Sequence, residues 1–256
     1  MSEPFAAYSA DRSLKGKFRR RWARVVHRRP LRSTIDRPIV SITFDDAPQT
    51  AVEAGAAVLE AEGVRGVFYV CAGLDRREGP MGLYGDLDGY ADLAHRGHEI
   101  ACHTFSHLDC GQAAGPVITA DVDRNNNALL HDAGLTTRNF AYPYGDVSPQ
   151  AKAVLQGRFG SLRGLHPGLV RNGSDLNQLP AVGIEGPNGE ATAARWIDRA
   201  MAENAWLILY THDVRPDPSA WGCTPDALRR LIQRARAGGA EIAPVATVLD
   251  RLERTA

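Results

Sequence analysis

The chain has 256 residues, 44% of them hydrophobic and 23% charged, with thirty Lys+Arg set against thirty Asp+Glu. Such a composition excludes a self-repelling disordered chain, and no repeat period points to a solenoid. No stretch approaches the roughly 18 apolar residues of a membrane span.

The neutral total hides an asymmetry at the start of the chain. Residues 1–37 carry eleven Lys+Arg (Arg12 to Arg37) and only Glu3, Asp11 and Asp36 as acids, a net +8 that leaves −8 for residues 38–256. No apolar run follows these charges, so they do not read as a secretory signal, and a cytoplasmic location is expected, peripheral to a membrane if the arm binds one. Residues 1–37 are therefore assigned as a basic N-terminal extension and 38–256 as one domain. Beyond it, residues 38–44 form a β-branched and aromatic strand, and Thr50-Ala-Val-Glu53 reads as a capping box opening a helix that Gly63 closes. Residues 66–70 are the next strand, 87–96 a helix stopped by Gly97, and 98–102 a third strand. Helical residues before Gly134 lead to a strand at 139–141, and Ser148-Pro149 caps the following helix. Residues 179–184 and 206–210 are strands, Thr224-Pro225 opens a helix ending at Gly238-Gly239, and 241–243 is a last strand. Alternation of this kind implies an α/β fold with a parallel sheet. Seven or eight strand–helix units in about 220 residues fit a (β/α) barrel, complete or distorted. The chemistry then lies beyond the C-terminal ends of the strands.

The polar clusters fall at such ends. Asp45-Asp46 follows the first strand, His103 and His107 the third, Tyr142-Pro-Tyr-Gly145 the fourth, and Thr211-His212-Asp213 the seventh. Two histidines four apart on one face of a helical turn can share a metal ion, although the spacing alone is a weak signal. Adjacent carboxylates on extended backbone point to opposite sides, so one can bind metal while the other moves a proton. Asp46, His103 and His107 together make a two-histidine, one-carboxylate set for one divalent ion. Zinc is the first choice, and cobalt, nickel and iron remain open. Asp45 is then the adjacent base, and His212 is an acid for a departing amine.

These segments together, Thr43-Phe-Asp-Asp46, His103-Thr-Phe-Ser-His107, Tyr142-Pro-Tyr-Gly145 and Leu209-Tyr-Thr-His212, resemble the NodB-type polysaccharide deacetylases, carbohydrate esterase family four. The resemblance covers about residues 38–250 and implies a distorted (β/α) barrel. It also implies a metal-dependent hydrolase that removes an N-acetyl group, sometimes an O-acetyl group, from a sugar or glycan. Carried over residue by residue, it makes Asp45 the general base, Asp46, His103 and His107 the metal ligands, and His212 the general acid. The backbone N–H of Tyr144 becomes an oxyanion donor. Tyr142, Pro143, Trp221 and Arg163 are expected on the substrate side.

Some positions depart from the family pattern. Its third motif usually begins with an arginine that orients the catalytic Asp, and here that position is Ala141; Arg163, near a later strand end, either takes over that contact or is a solvated arginine. Ala47-Pro48 stands where the first motif often continues with Gly, and the Asp-rich fourth motif has no match. Trp221 either stacks on a sugar or closes the barrel, and Asp213 either orients His212 or forms a turn. His95 and His98 read as structural, and His131 and His166 as exposed. Cys71, Cys102, Cys110 and Cys223 form no CxxC pair and are too few for a disulfide framework. The basic arm reads first as a solvated, partly helical extension and second as a contact for an anionic membrane surface, since Phe18, Trp22, Val25 and Val26 interleave with its arginines. No nucleic acid is expected, and the oligomeric state is open. Two alternatives stand beside the N-deacetylase reading. One is a related amidohydrolase acting on an N-formyl sugar or a ureide; the other is a non-catalytic carbohydrate-binding protein.

Overall fold

The computed structural model describes residues 13–254. Its elements follow the expected alternation. They are α1 (Leu14–Ala23), β1 (Ile39–Asp45), α2 (Ala56–Ala61), β2 (Val67–Val70), the hairpin β3 (Glu78–Gly79) and β4 (Gly82–Leu83), α3 (Leu87–His95), β5 (Glu99–Cys102), α4 (Gly115–Ala133), β6 (Asn139–Ala141), α5 (Pro149–Leu155), β7 (Ser161–Arg163), β8 (Val182–Gly183), α6 (Gly189–Ala202), β9 (Trp206–Thr211), α7 (Pro225–Ala237), β10 (Glu241–Ile242) and α8 (Val245–Arg254).

Eight strands form one parallel sheet in the order β7-β6-β5-β2-β1-β9-β8, with β10 pairing the start of β1. The sheet curls until its two edges meet through one short segment. Leu179 bridges Arg163 of β7, and three residues later Val182 pairs with Leu209 of β9. The expected strand at 179–184 is thus split at Pro180, which has no N–H for a ladder, and only Val182–Gly183 is regular strand. The closure is that of a distorted barrel with eight strands.

Strand alternation decides which side chains face the interior. In β1, Val40, Ile42 and Phe44 pack with the covering helices, while Ile39, Ser41, Thr43 and Asp45 point inward. Tyr69 of β2, Ala101 of β5, Ala141 of β6 and Ile208 and Tyr210 of β9 share that inner layer. Ser41 Oγ accepts from Trp206 Nε1 (3.0 Å) and donates to Ala243 O (2.7 Å), and Thr43 Oγ1 donates to Leu209 O. The polar residues of β1 are therefore satisfied, at depth, on the face that ends in Asp45.

Several local expectations need correction. Thr50 makes no cap; its Oγ1 accepts from Val214 N, Pro48 O accepts from Ala51 and Val52, and the helix opens with one π turn over Ala51–Gly55 before α2. In contrast, Ser148 and Thr224 cap α5 and α7 through their hydroxyls as expected, and Gly63, Gly97 and Gly239 stand at positive φ after their helices. The basic arm does not simply stand in solvent. Residues 1–12 of it lie outside the described residues, but α1 packs on α5, Lys152 Nζ donates to Ala23 O, and Leu31 and Ile35 are buried in the inner core.

Candidate metal and catalytic centre

The ends of β1, β5, β6 and β9 converge as the parallel order requires. Among the described residues, Asp46, His103 and His107 form a group able to hold a metal, their ligand atoms all within 4.8 Å of one another. Asp46 Oδ1 lies 3.5 Å from His103 Nε2 and 3.2 Å from His107 Nε2, and it is buried with no hydrogen-bond partner of its own. A buried carboxylate oxygen facing two imidazole nitrogens, otherwise unsatisfied, is the electrostatic signature of a cation site. His103 Nδ1 donates to Ala141 O at 2.9 Å, which turns Nε2 toward Asp46. Burial pushes the His103 imidazole down to about 4, more than Asp45 and Asp46 raise it, so it is the neutral ring that a metal requires. The residues present fit a divalent ion.

The histidine pair does not sit on a helix, as the spacing suggested. Residues 103–108 form a loop in which Thr104 (φ 65°) and His107 (φ 55°) are left-handed, and Thr104 Oγ1 accepts from Leu108 N. Asp121 of α4 clamps this loop, its carboxylate accepting from Phe105 N (2.6 Å), Ser106 N (3.1 Å) and Ser106 Oγ (2.7 Å). Sequence reasoning missed Asp121 because its partners lie fifteen and sixteen residues away. The two carboxylates do part company, but not on extended backbone: Asp45 ends β1, while Asp46 and Ala47 are left-handed (φ 60° and 46°).

Asp45 faces the barrel interior, where Arg163 Nη2 donates to its Oδ1 at 2.5 Å. Burial alone would raise the Asp45 carboxyl; the Arg163 guanidinium, with His103 and His212, outweighs it and holds the group below the usual carboxylate range. Arg163 is fully buried and stacks over Tyr69 (4.9 Å to the ring centroid) and Tyr210 (5.5 Å). It is therefore not on the substrate side. Its register partner in β6 is Ala141, whose methyl leaves the interior open to the guanidinium. The arginine absent from position 141 is supplied by the adjacent strand.

His212, just past the end of β9, donates from Nδ1 to Trp221 O at 3.1 Å, which leaves Nε2 as the nitrogen outside that contact. Glu185 is a second neighbour that the sequence did not reveal. Its Oε2 is 3.9 Å from His212 Nδ1, and its Oε1 accepts from Tyr210 OH at 2.8 Å. Asp213 does not orient His212; it is buried and accepts from Ser219 N and Oγ and pairs with Arg215. Tyr142 and Pro143 are buried, and Tyr142 OH donates to Asn177 O, so neither offers a surface to substrate. Tyr144 is different: it is left-handed (φ 59°), partly exposed, and its ring stands edge-on to His107 at 4.4 Å. Gly145 follows at φ 63°, where an added Cβ would come within 2.5 Å of Leu165, so the turn does require glycine. Trp221 is exposed, and its carbonyl meets His212. Cys223 is buried with its thiol pushed up to about 12, hence inert. His98 is structural, accepting Gly66 N–H at Nδ1 and donating to Glu60 from Nε2.

Comparison with known proteins agrees with this geometry. Residues 32–157 match the family model described as polysaccharide deacetylase. A chitin deacetylase from Amylomyces rouxii is 29% identical over 114 residues, 44% of this chain and 25% of that protein. The chain spans about a quarter or less of the curated relatives it matches. A putative polysaccharide deacetylase from Mycobacterium smegmatis superposes with a TM-score of 0.67 at 18% identity, covering 89% of this chain and 95% of that one. A carbohydrate esterase family four pseudoenzyme from Bacillus anthracis superposes with a TM-score of 0.60 at 13% identity, covering 84% and 66%. At these identities the likeness shows the fold, and that fold includes a protein described as a pseudoenzyme. The family match over residues 32–157 and the converging strand ends make the chain similar to the polysaccharide deacetylase family.

Proposed function

We propose that the chain is a metal-dependent hydrolase that removes an N-acetyl group from an amino sugar or glycan. The observation that carries this is the unpartnered, buried Asp46 oxygen facing His103 and His107, with the separately held Asp45 beside it. A divalent cation on Asp46, His103 and His107, zinc in the first instance, would supply Lewis acidity toward the amide carbonyl and acidify the attacking water. Asp45, kept ionised by Arg163, accepts that water's proton. The backbone N–H of Tyr144 would donate to the oxyanion of the tetrahedral species. His212, oriented by the Trp221 carbonyl, delivers a proton from Nε2 to the departing nitrogen, without which an amine is a poor leaving group. Trp221 offers an exposed ring for a sugar face. The presence of Asp45, Asp46, His103, His107 and His212 in one chain, with Asp46 facing both His103 and His107, favours an enzyme over a binding protein on the same scaffold.

The test begins with metal content. Protein purified without added metal should hold about one ion per chain, lost in Asp46→Ala/His103→Ala. Asp45→Asn should keep the ion and lose turnover, measured as acetate released from N-acetylglucosamine oligomers. His107→Ala should weaken metal binding. No metal in the parent protein, even after zinc or cobalt is added, would sink the catalytic assignment and leave the carbohydrate-binding reading. Formate release from N-formyl sugars, or ureide opening, in the absence of acetate release would move the substrate while keeping the centre.

A further inference from the structure

We propose that the outer face of α1 docks on an anionic lipid bilayer. Leu14, Phe18 and Trp22 recur every fourth residue and Val25 follows on the same stripe. All four are exposed, and Phe18 and Trp22 stack on each other at 6.3 Å rather than on the barrel. Among the described residues, four of the nine exposed large hydrophobic side chains thus belong to one ten-residue helix and its C-terminal turn. The opposite face is already occupied. Gly16 and Ala23 are buried, Arg19 pairs with Asp146 at 2.6 Å, and Lys152 Nζ donates to Ala23 O. The helix is therefore fixed with its apolar stripe outward.

Charge selects the occupant. Residues 13–29 contain eight Lys+Arg and no acid, and Lys15, Lys17, Arg21, Arg24 and Arg28 are exposed. Cations flanking an apolar stripe match the headgroup–acyl boundary of an anionic membrane, where Trp and Phe enter the interface and Lys and Arg meet lipid phosphates. A two-fold contact between copies would set five cations against five, which disfavours self-association through this face. Among the described residues no helix is long and apolar enough to cross a membrane, so the contact is peripheral and reversible. Arg19 also reaches Asp146, two residues beyond Tyr144, so α1 lies against the segment that forms one wall of the candidate centre. The proposal does not depend on the deacetylase reading, because its test needs no turnover.

The full chain should sediment with vesicles of phosphatidylcholine and phosphatidylglycerol at 0.1 M salt and not with phosphatidylcholine alone. Raising the salt to 0.5 M should release it. Phe18→Ser/Trp22→Ser should weaken binding at least tenfold while leaving the circular dichroism spectrum unchanged, since both rings are in solvent. Lys15→Gln/Lys17→Gln/Arg21→Gln should weaken it on the order of a hundredfold, about fivefold per cation. Brominated lipid should quench a part of the fluorescence that Trp22→Ser removes. Absence of sedimentation at low salt overturns the proposal. So does binding to heparin that equals vesicle binding and survives Phe18→Ser/Trp22→Ser, or a dimer that those two substitutions dissolve without any lipid binding.

Discussion

Replacing Arg163 by methionine keeps much of the side-chain volume and removes the cation that faces Asp45. Both side chains are out of solvent, at 0% and 4% exposure, so the variant buries a carboxylate without its partner. Breaking a buried pair from one side destabilises by about 3–5 kcal/mol. A chain of this size loses roughly 2–4 °C in Tm per kcal/mol, so thermal unfolding should move down by roughly 6–20 °C. The exposed Arg230–Glu190 pair is the control, and Arg230→Met should leave Tm near the parent value. Removing both buried charges leaves nothing uncompensated, so Asp45→Asn/Arg163→Met should recover much of the stability lost in Arg163→Met. The metal-loaded Arg163→Met protein should lose kcat on the order of a hundredfold with KM little changed, because a displaced Asp45 alters the proton transfer and not the binding surface. Ala141 and Arg163 are register partners facing the same interior. Ala141→Arg/Arg163→Ala should therefore regain kcat relative to Arg163→Ala. Simple additivity of the two losses in the double-mutant cycle, or an unchanged kcat in Arg163→Met, would refute this account of the pair.

Three further outcomes follow from the geometry. Asp121→Ala touches no ligand atom but frees the amides of Phe105 and Ser106, so metal affinity should fall by about 10–100-fold, read by competition with a chelating dye. Gly145→Ala should destabilise by about 1–3 kcal/mol and depress kcat, since the new Cβ enters Leu165 at a positive φ; a neutral result would mean the turn is not held as described. Burial lowers the His98 imidazole against a smaller opposing effect from Glu60, so the unfolded chain binds that proton more readily than the folded one. Its contribution is present above the unfolded value near 6.5 and is lost as pH falls through it. His98→Gln should flatten the fall of Tm between about pH 7 and 5.5. The flattening is partial because His103 and His166 are also lowered, and identical slopes in both proteins would remove His98 from the explanation.

What could be read from the chain, and what could not, divides by the range of the interaction. Strand ends were legible to within one residue at Asp45, Ala141 and Thr211 because apolar runs broken by polar clusters are local signals, and caps at Ser148 and Thr224 are local too. Asp121 and Glu185 were not, because each acts on a backbone or ring that only the folded sheet brings near. Arg163 was visible as a candidate, but its burial was not; a three-residue strand carries too little alternation to show which way its last side chain points. Helical spacing at His103 and His107 was misread for a physical reason, since a turn with left-handed residues at 104 and 107 also brings positions four apart together. Of eight non-glycine residues at positive φ among the described residues, five (Asp46, Ala47, Thr104, His107 and Tyr144) lie in the two candidate ligand segments and the turn at Tyr144. Each such residue costs on the order of 1 kcal/mol or more, so the cluster persists only where surrounding bonds over-determine it. The clamp from Asp121, the Thr104 hydroxyl and the Tyr142 carbonyl accepting from Gly145 N are those bonds. The candidate geometry is thus held by the scaffold itself, which lets Asp46 keep a buried oxygen unsatisfied and aimed at His103 and His107.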